Sequence, residues 1–302
     1  MAHVLFITGF NRSGTTLVTS AVAEASGAAT LTVGDLARHM PSVNRFLTSA
    51  RKQATAPDRG VDRLPVSEST PEEYGWLLQA ATGEPAFGAQ ARESGVLRDL
   101  VDELAAGTQA GLVVLKNPWD TGHEQLLLDA FDGSQVLLVR RQLGAIEDSV
   151  QRAFARMATS NRYLRALISD RRRAAQTLGT ILDPKARQQL VSDTSRKIRR
   201  DVLRLARGAG RLPLDRVAFL SYDELREDPA AGAAWAGHLL DPQALGKAVA
   251  ALAFSEYNRG SRGSLAVKLI DWYWARAWRR ARAKQVMGGV LPRPQAGLTA
   301  TA

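Results

Sequence analysis

Four short apolar runs interrupt a chain that is otherwise patterned for helices. They lie at residues 4–8 ("VLFIT"), 111–118 ("GLVVLKNP"), 134–141 ("SQVLLVRR") and 215–222 ("DRVAFLSY"). Each is close to continuously apolar rather than alternating, which is the pattern of a strand buried on both faces. Between them the apolar positions recur at helical spacing. The expected fold is therefore α/β, a three-layer parallel sheet that opens on a strand, a loop and a helix. Glycines bound the turn at residues 9–14, and Gly27 closes the helix predicted over 15–25.

Residues 51–69 are polar, with prolines and glycine, and are expected to form an exposed loop. From 149 to 207 the pattern is helical and arginine-rich, with a break at Asp183-Pro184. The segment "KLIDWYWARAWRRARAK" (268–284) puts Ile270, Trp274, Ala277, Trp278 and Ala281 on one helical stripe, with arginines on the other faces. Such a stripe packs on its own domain, or lies on a membrane surface or a partner. Past Met287 the glycine, proline and alanine content predicts fraying. The expected organisation is one domain over residues 1–302. Its core spans 1–150 and 212–265, a helical basic insert spans 151–211, and a Trp-rich helix and tail span 266–302.

Composition narrows the chemistry. The 302 residues contain no cysteine, so disulfides and thiolate zinc sites are excluded, and the four histidines are far apart in sequence. A metal enzyme is disfavoured. No leader-like pattern and no membrane-length apolar run is present, which predicts a cytoplasmic protein without a transmembrane segment. The net charge of +10 is concentrated, because residues 151–211 carry 16 Lys and Arg against 4 Asp. That excess suits either the path of an anionic acceptor or a solvated helical face. Phe154 and Tyr163 are the only aromatic residues in the segment, so nucleic-acid binding by stacking is not expected.

The candidate chemistry starts at "GFNRSGTT", residues 9–16. A glycine-rich turn between strand and helix aims backbone N–H groups at an anion, at the positive end of the helix dipole. In nucleoside triphosphatases a lysine follows the second glycine, and the next hydroxyl holds Mg²⁺. Thr15 stands in that lysine's place. The loop is thus suited to one phosphate held by the backbone of residues 13–16, with Arg12 on its outer side reaching a group beyond that phosphate.

This loop resembles that of the sulfotransferases that use 3′-phosphoadenosine 5′-phosphosulfate (PAPS), in the branch with "PRSGTT" loops, although Asn11 replaces the usual proline. "QVLLVRRQLGAIEDS" is similar to the family's second signature, a strand ending in Arg with a Ser eight residues later, which selects Arg141 and Ser149. "LVVLKNP" and "VAFLSYDELREDP" resemble the central strand and a later strand of the family. The ordered set spans residues 4–229.

The resemblance implies sulfonate transfer from PAPS to an acceptor hydroxyl, on a small metabolite or a glycan, with no metal. Ser13, Gly14, Thr15 and Thr16 would hold the 5′-phosphate, with Arg12 stabilising charge on the oxygen that links phosphate to sulfur. Arg141 and Ser149 would hold the 3′-phosphate, with Arg140 as the adjacent rival. Tyr222 would lie near the adenine, and Arg262 and Gly263 in a late glycine-rich loop would close over the 3′-phosphate, Arg259 being the alternative. Lys116 would assist at the sulfonate oxygens. For the base that takes the acceptor's proton, "TVGDLARH" offers Asp35, 23 residues beyond Arg12. Asp35 also reads as a helix cap, and His39, Glu72 and Glu73 are the reserves. Two other functions remain as alternatives, a nucleotide-dependent phosphotransferase on the same fold and a non-catalytic polyanion-binding module.

Overall fold

The computed structural model describes residues 3–52, 57–61, 65–107, 111–252 and 263–291. Five strands, β1 (His3–Thr8), β2 (Ala29–Thr30), β3 (Leu112–Lys116), β4 (Gln135–Arg140) and β5 (Val217–Ser221), form one sheet in the order β2-β3-β1-β4-β5. Every pairing is parallel. The four apolar runs became β1, β3, β4 and β5, while β2 is only two residues long and carries no such run.

Alternate side chains of each strand enter opposite layers. Leu5, Ile7, Leu137, Val139, Ala218 and Leu220 pack with Val18 and Val22 of the helix Thr15–Ser26 and with Leu245 and Val249 of the helix Pro242–Ala251. Val4, Phe6, Val136, Leu138 and Phe219 face the other way, toward the helices Leu143–Met157, Pro184–Gly208 and Leu265–Met287. The apolar stripe of the last helix lies on this face. Trp274, Trp278 and Ala281 are buried, and Ile270 and Ala277 pack at its margin.

Residues 151–211 contain the helices Arg162–Leu167, Arg171–Leu182 and Pro184–Gly208. Asp183 makes the break between the last two, its carboxylate accepting a hydrogen bond from the Ala186 amide at 2.7 Å ahead of Pro184 in the first turn. The expectation of an exposed loop over 51–69 needs correcting among its described residues. Arg59 and Val66 are buried, because Arg59 turns inward to pair with two glutamates.

The order of strands positions the site. From β1 the chain runs out to β2 and β3 on one side, then crosses to β4 and β5 on the other. Adjacent loops after β1 and β4 therefore leave in opposite directions, which opens a crevice at the carboxyl ends of those strands.

Candidate active site

The loop after β1 is tightly specified. A Cβ on Gly9 would lie 2.6 Å from the Val139 carbonyl oxygen and 2.7 Å from Ser13 Oγ. Gly14 has a φ of 95°, and a Cβ there would lie 2.2 Å from a ring carbon of Tyr222. Between them Arg12 has a φ of 73°, the one positive value at a non-glycine position among the described residues. That conformation costs about 1–2 kcal/mol and needs support from its surroundings. Support comes from two directions. Arg141 Nη1 donates to the Arg12 carbonyl oxygen at 2.7 Å, and Arg12 Nε donates to Ser149 Oγ at 3.1 Å.

At the head of the helix Thr15–Ser26 no side chain caps the first turn. Ser13 Oγ is buried there with no hydrogen-bond partner among the described residues. Uncapped amides, an orphaned hydroxyl and two positions that admit no side chain leave donors suited to an anion the size of one phosphate.

A second cationic position adjoins this loop. Arg141, buried just past β4, places its guanidinium 5.0 Å from the centroid of the Tyr222 ring. Burial lowers its pKa, and the charges of Arg12 and Arg152 push the same way against Tyr222 and Asp223. Clustered cations in a partly dry site favour an anion between them. Arg140 faces elsewhere, donating to Asp271 of the C-terminal helix at 2.9 Å with its guanidinium 5.3 Å from the Trp274 ring. Of the two adjacent arginines, Arg141 serves the loop.

On the opposite side of the loop lies a buried ionic cluster. Lys116, at the end of β3, donates to Thr16 Oγ1 at 3.1 Å and to Glu73 Oε1 at 2.5 Å. Arg59 Nη2 donates to Glu72 Oε1 at 3.0 Å and reaches Glu73 Oε2 at 3.5 Å. Tyr163 donates its hydroxyl to Glu72 Oε2 at 2.6 Å. Burial raises the Glu72 carboxyl to about 7, since it outweighs the attraction of Arg59 and is reinforced by the Glu73 charge. Glu73 is also buried, yet Lys116 and the surrounding donors outweigh that and hold it well below the usual carboxylate range. Next to Glu73, Trp76 Nε1 donates to its Oε2 at 3.3 Å, and Trp76 packs edge-to-face on Trp119 at 4.9 Å.

A model of the "Sulfotransferase family" matches residues 5–234, from β1 through the loop, both arginine positions and β5. The chain belongs to the sulfotransferase family. It is a transferase enzyme, and its five-stranded parallel sheet with flanking helices is that of a sulfotransferase fold. Among solved structures it is similar to the sulfotransferase STF1 of Mycobacterium tuberculosis H37Rv, with 14% identity, 91% of this chain and 77% of that chain covered, and a TM-score of 0.52. It is also similar to STF9 of Mycobacterium avium, with 16% identity, 95% and 76% covered, and a TM-score of 0.51. A search of curated protein sequences finds no significant match.

The remaining candidates of this sulfotransferase divide in space. Arg12, Ser13, Gly14, Thr15, Thr16, Lys116, Arg141, Ser149 and Tyr222 lie in or against the loop. Asp35 is engaged elsewhere: it accepts from the Thr32 amide and the Thr32 hydroxyl, both at 2.7 Å, and from Arg38 at 2.6 Å. With Thr32 it closes a capping box on the helix Val33–His39. His39 pairs with Glu103. Gly263 directly precedes Ser264, the cap of the C-terminal helix; Arg262 and Arg259 lie outside the described residues.

Sequence reasoning missed Arg59 and Tyr163 entirely. A single arginine in a polar loop and a single tyrosine in a basic insert carry no local signal. The available signal was the pair Glu72-Glu73 before an apolar run, since two adjacent buried carboxylates need cations from elsewhere. No helix among the described residues is long and apolar enough to cross a membrane, and no three of their acidic or histidine side chains converge as metal ligands.

Proposed function

We propose that this sulfotransferase uses PAPS as donor and transfers its sulfonate to a hydroxyl of a small metabolite or glycan. The observation that carries this reading is the pairing of a one-phosphate cradle with a second cationic position formed by Arg141, Ser149 and Tyr222. A donor with two separated phosphates, and not a triphosphate chain, matches that spacing of roles.

In this reading the amides of residues 13–16 and the Ser13 hydroxyl hold the 5′-phosphate. Arg141 and Ser149 hold the 3′-phosphate, Arg141 through its planar fork of donors. Tyr222, stacked between Arg141 and Gly14, borders the adenine. Arg12 and Lys116 neutralise charge that builds on the bridging and terminal oxygens during transfer. Bound there, PAPS supplies an activated sulfonate with a phosphate as leaving group. Trp76 and Trp119, half-buried beside Glu73, provide an apolar wall against which the acceptor's ring can rest.

Thermal stabilisation tests the donor. Adenosine 3′,5′-bisphosphate at 100 times its dissociation constant should stabilise the protein by about 2.7 kcal/mol. AMP and ATP with Mg²⁺ at the same concentration should do far less. An Arg141→Lys variant should lose most of the bisphosphate's advantage over AMP. Equal stabilisation by AMP and the bisphosphate would overturn the reading.

A further inference from the structure

The buried cluster beside the loop pairs two carboxylates with Arg59 and Lys116, and one of the carboxylates borders the site. Glu72 is fully enclosed, with its oxygens occupied by Arg59, Tyr163 and the Glu73 amide. The Glu73 side chain retains 11% of its exposure, and its partner Lys116 also touches Thr16 at the head of the phosphate cradle. Lys116 thus stands between the carboxylate and Thr16, beside which the proposed donor's 5′-phosphate and sulfonate would meet. Resting on the proposed donor, we propose that Glu73 is the base that takes the acceptor's proton. Lys116 gates it, releasing Glu73 for the sulfonate when the donor binds.

The logic is electrostatic. With Lys116 bonded to it, Glu73 is too weak a base to take a proton from a hydroxyl. A sulfonate next to Thr16 competes for the same ammonium group, and a cation drawn even a few ångströms away stabilises the carboxylate much less in a dry site. Arg59 remains on Glu73, reaching it from the 57–61 segment, while Glu72, its carboxyl raised to about 7 by burial, adds negative charge only as pH rises through that value. Withdrawal of Lys116 therefore strengthens Glu73 as a base only when there is a sulfonate to transfer. Glu73 then accepts the proton of the acceptor O–H as that oxygen bonds to sulfur. The bond from sulfur to the bridging phosphate oxygen breaks, and its electron pair stays on that oxygen to give adenosine 3′,5′-bisphosphate. Glu73 afterwards releases its proton to solvent. Asp35 has no part in this, because its oxygens are taken by Thr32 and Arg38 and it bonds to no loop residue among the described contacts.

Titration calorimetry in two buffers of different ionisation enthalpy measures the protons that accompany PAPS binding. At pH 6 the wild-type protein should take up a substantial fraction of a proton more than the Glu73→Gln variant, and the difference should shrink toward pH 8. Glu73→Gln should also bind PAPS about tenfold more tightly, since Lys116 is no longer held back, while its affinity for adenosine 3′,5′-bisphosphate changes less than twofold. Carboxyl-carbon NMR of the wild-type protein provides an arm that needs no variant: the Glu73 resonance should titrate at higher pH with PAPS than with the bisphosphate. Tight PAPS binding with equal proton uptake in both proteins and an unmoved Glu73 resonance would overturn the gated base. Failure of PAPS to bind at all would instead overturn the donor assignment on which it rests.

Discussion

Replacing Glu72 with glutamine isolates the electrostatic cost of the buried cluster. Glu72 is completely buried, and burial lifts its carboxyl from 4.5 to about 7. A folded-state pKa above the unfolded one means that the native protein binds this proton more tightly. The resulting stability is fully present below about 4.5, is lost as pH rises toward about 7, and changes no further above that. At 1.36 kcal/mol per pKa unit, the loss is ~3 kcal/mol across that interval. Glutamine imitates the protonated acid in shape. Its carbonyl can still accept from Arg59 and the Glu73 amide, and its amide can donate to the Tyr163 oxygen. Urea unfolding followed by circular dichroism, at pH steps from 5 to 8, gives the test. Glu72→Gln should gain on the wild type by ~2–3 kcal/mol between pH 5 and 7, and the two curves should run parallel above pH 7. Curves that are parallel throughout would mean that Glu72 titrates alike in the folded and unfolded chain, and the argument from burial would fail.

Three further substitutions separate the roles of single positions. Gly14→Ala would place a methyl group 2.2 Å from the Tyr222 ring at a φ of 95°, so binding of adenosine 3′,5′-bisphosphate should weaken at least tenfold by calorimetry. Gly27→Ala is its control, since nothing lies within 4 Å of that position and its φ is 63°; it should cost about 1 kcal/mol of stability and leave affinity unchanged. Asp35→Ala should lower stability by about 1 kcal/mol through loss of the capping box and leave bisphosphate affinity within twofold, as a thermal shift and a titration on one sample will report.

Legibility in the sequence followed locality. β1, the loop and the following helix form one contiguous stretch in which apolar run, glycines and threonines each have a local physical meaning. Arg141 and Ser149 were singled out by the resemblance, as a strand ending in Arg with a Ser eight residues later, and in the fold both bond to Arg12. Asp35 sat correctly in its own helix, but sequence offers no means to weigh a cap against a catalytic role when both want a carboxylate at a helix start. Lys116, Glu72 and Glu73 were candidates one by one, but their convergence with Arg59 and Tyr163 was unreadable because the five come from four separate segments. Only the sheet's order brings β3 beside the segment that carries Glu73, through a bridge between Glu73 and Lys116. β2 escaped notice because two residues form no pattern.

The two arginines at the end of β4 face opposite neighbours, and this has a consequence for the order in which the enzyme is completed. Arg141 holds the backbone carbonyl of Arg12 and Ser149 its side chain, across 129 and 137 residues of sequence, and Arg140 reaches Asp271 across 131. Contacts of such long range close late, because the entropy of the intervening chain must be lost before they repay it. The phosphate loop leaves the ribosome before the residues that hold its shape. Its strained shape nevertheless depends on residues made much later, and the strand that supplies them is itself anchored by the C-terminal helix. A nascent chain stalled before that helix would hold the loop's sequence without its geometry, so competence to bind the donor would arrive only once that helix is made.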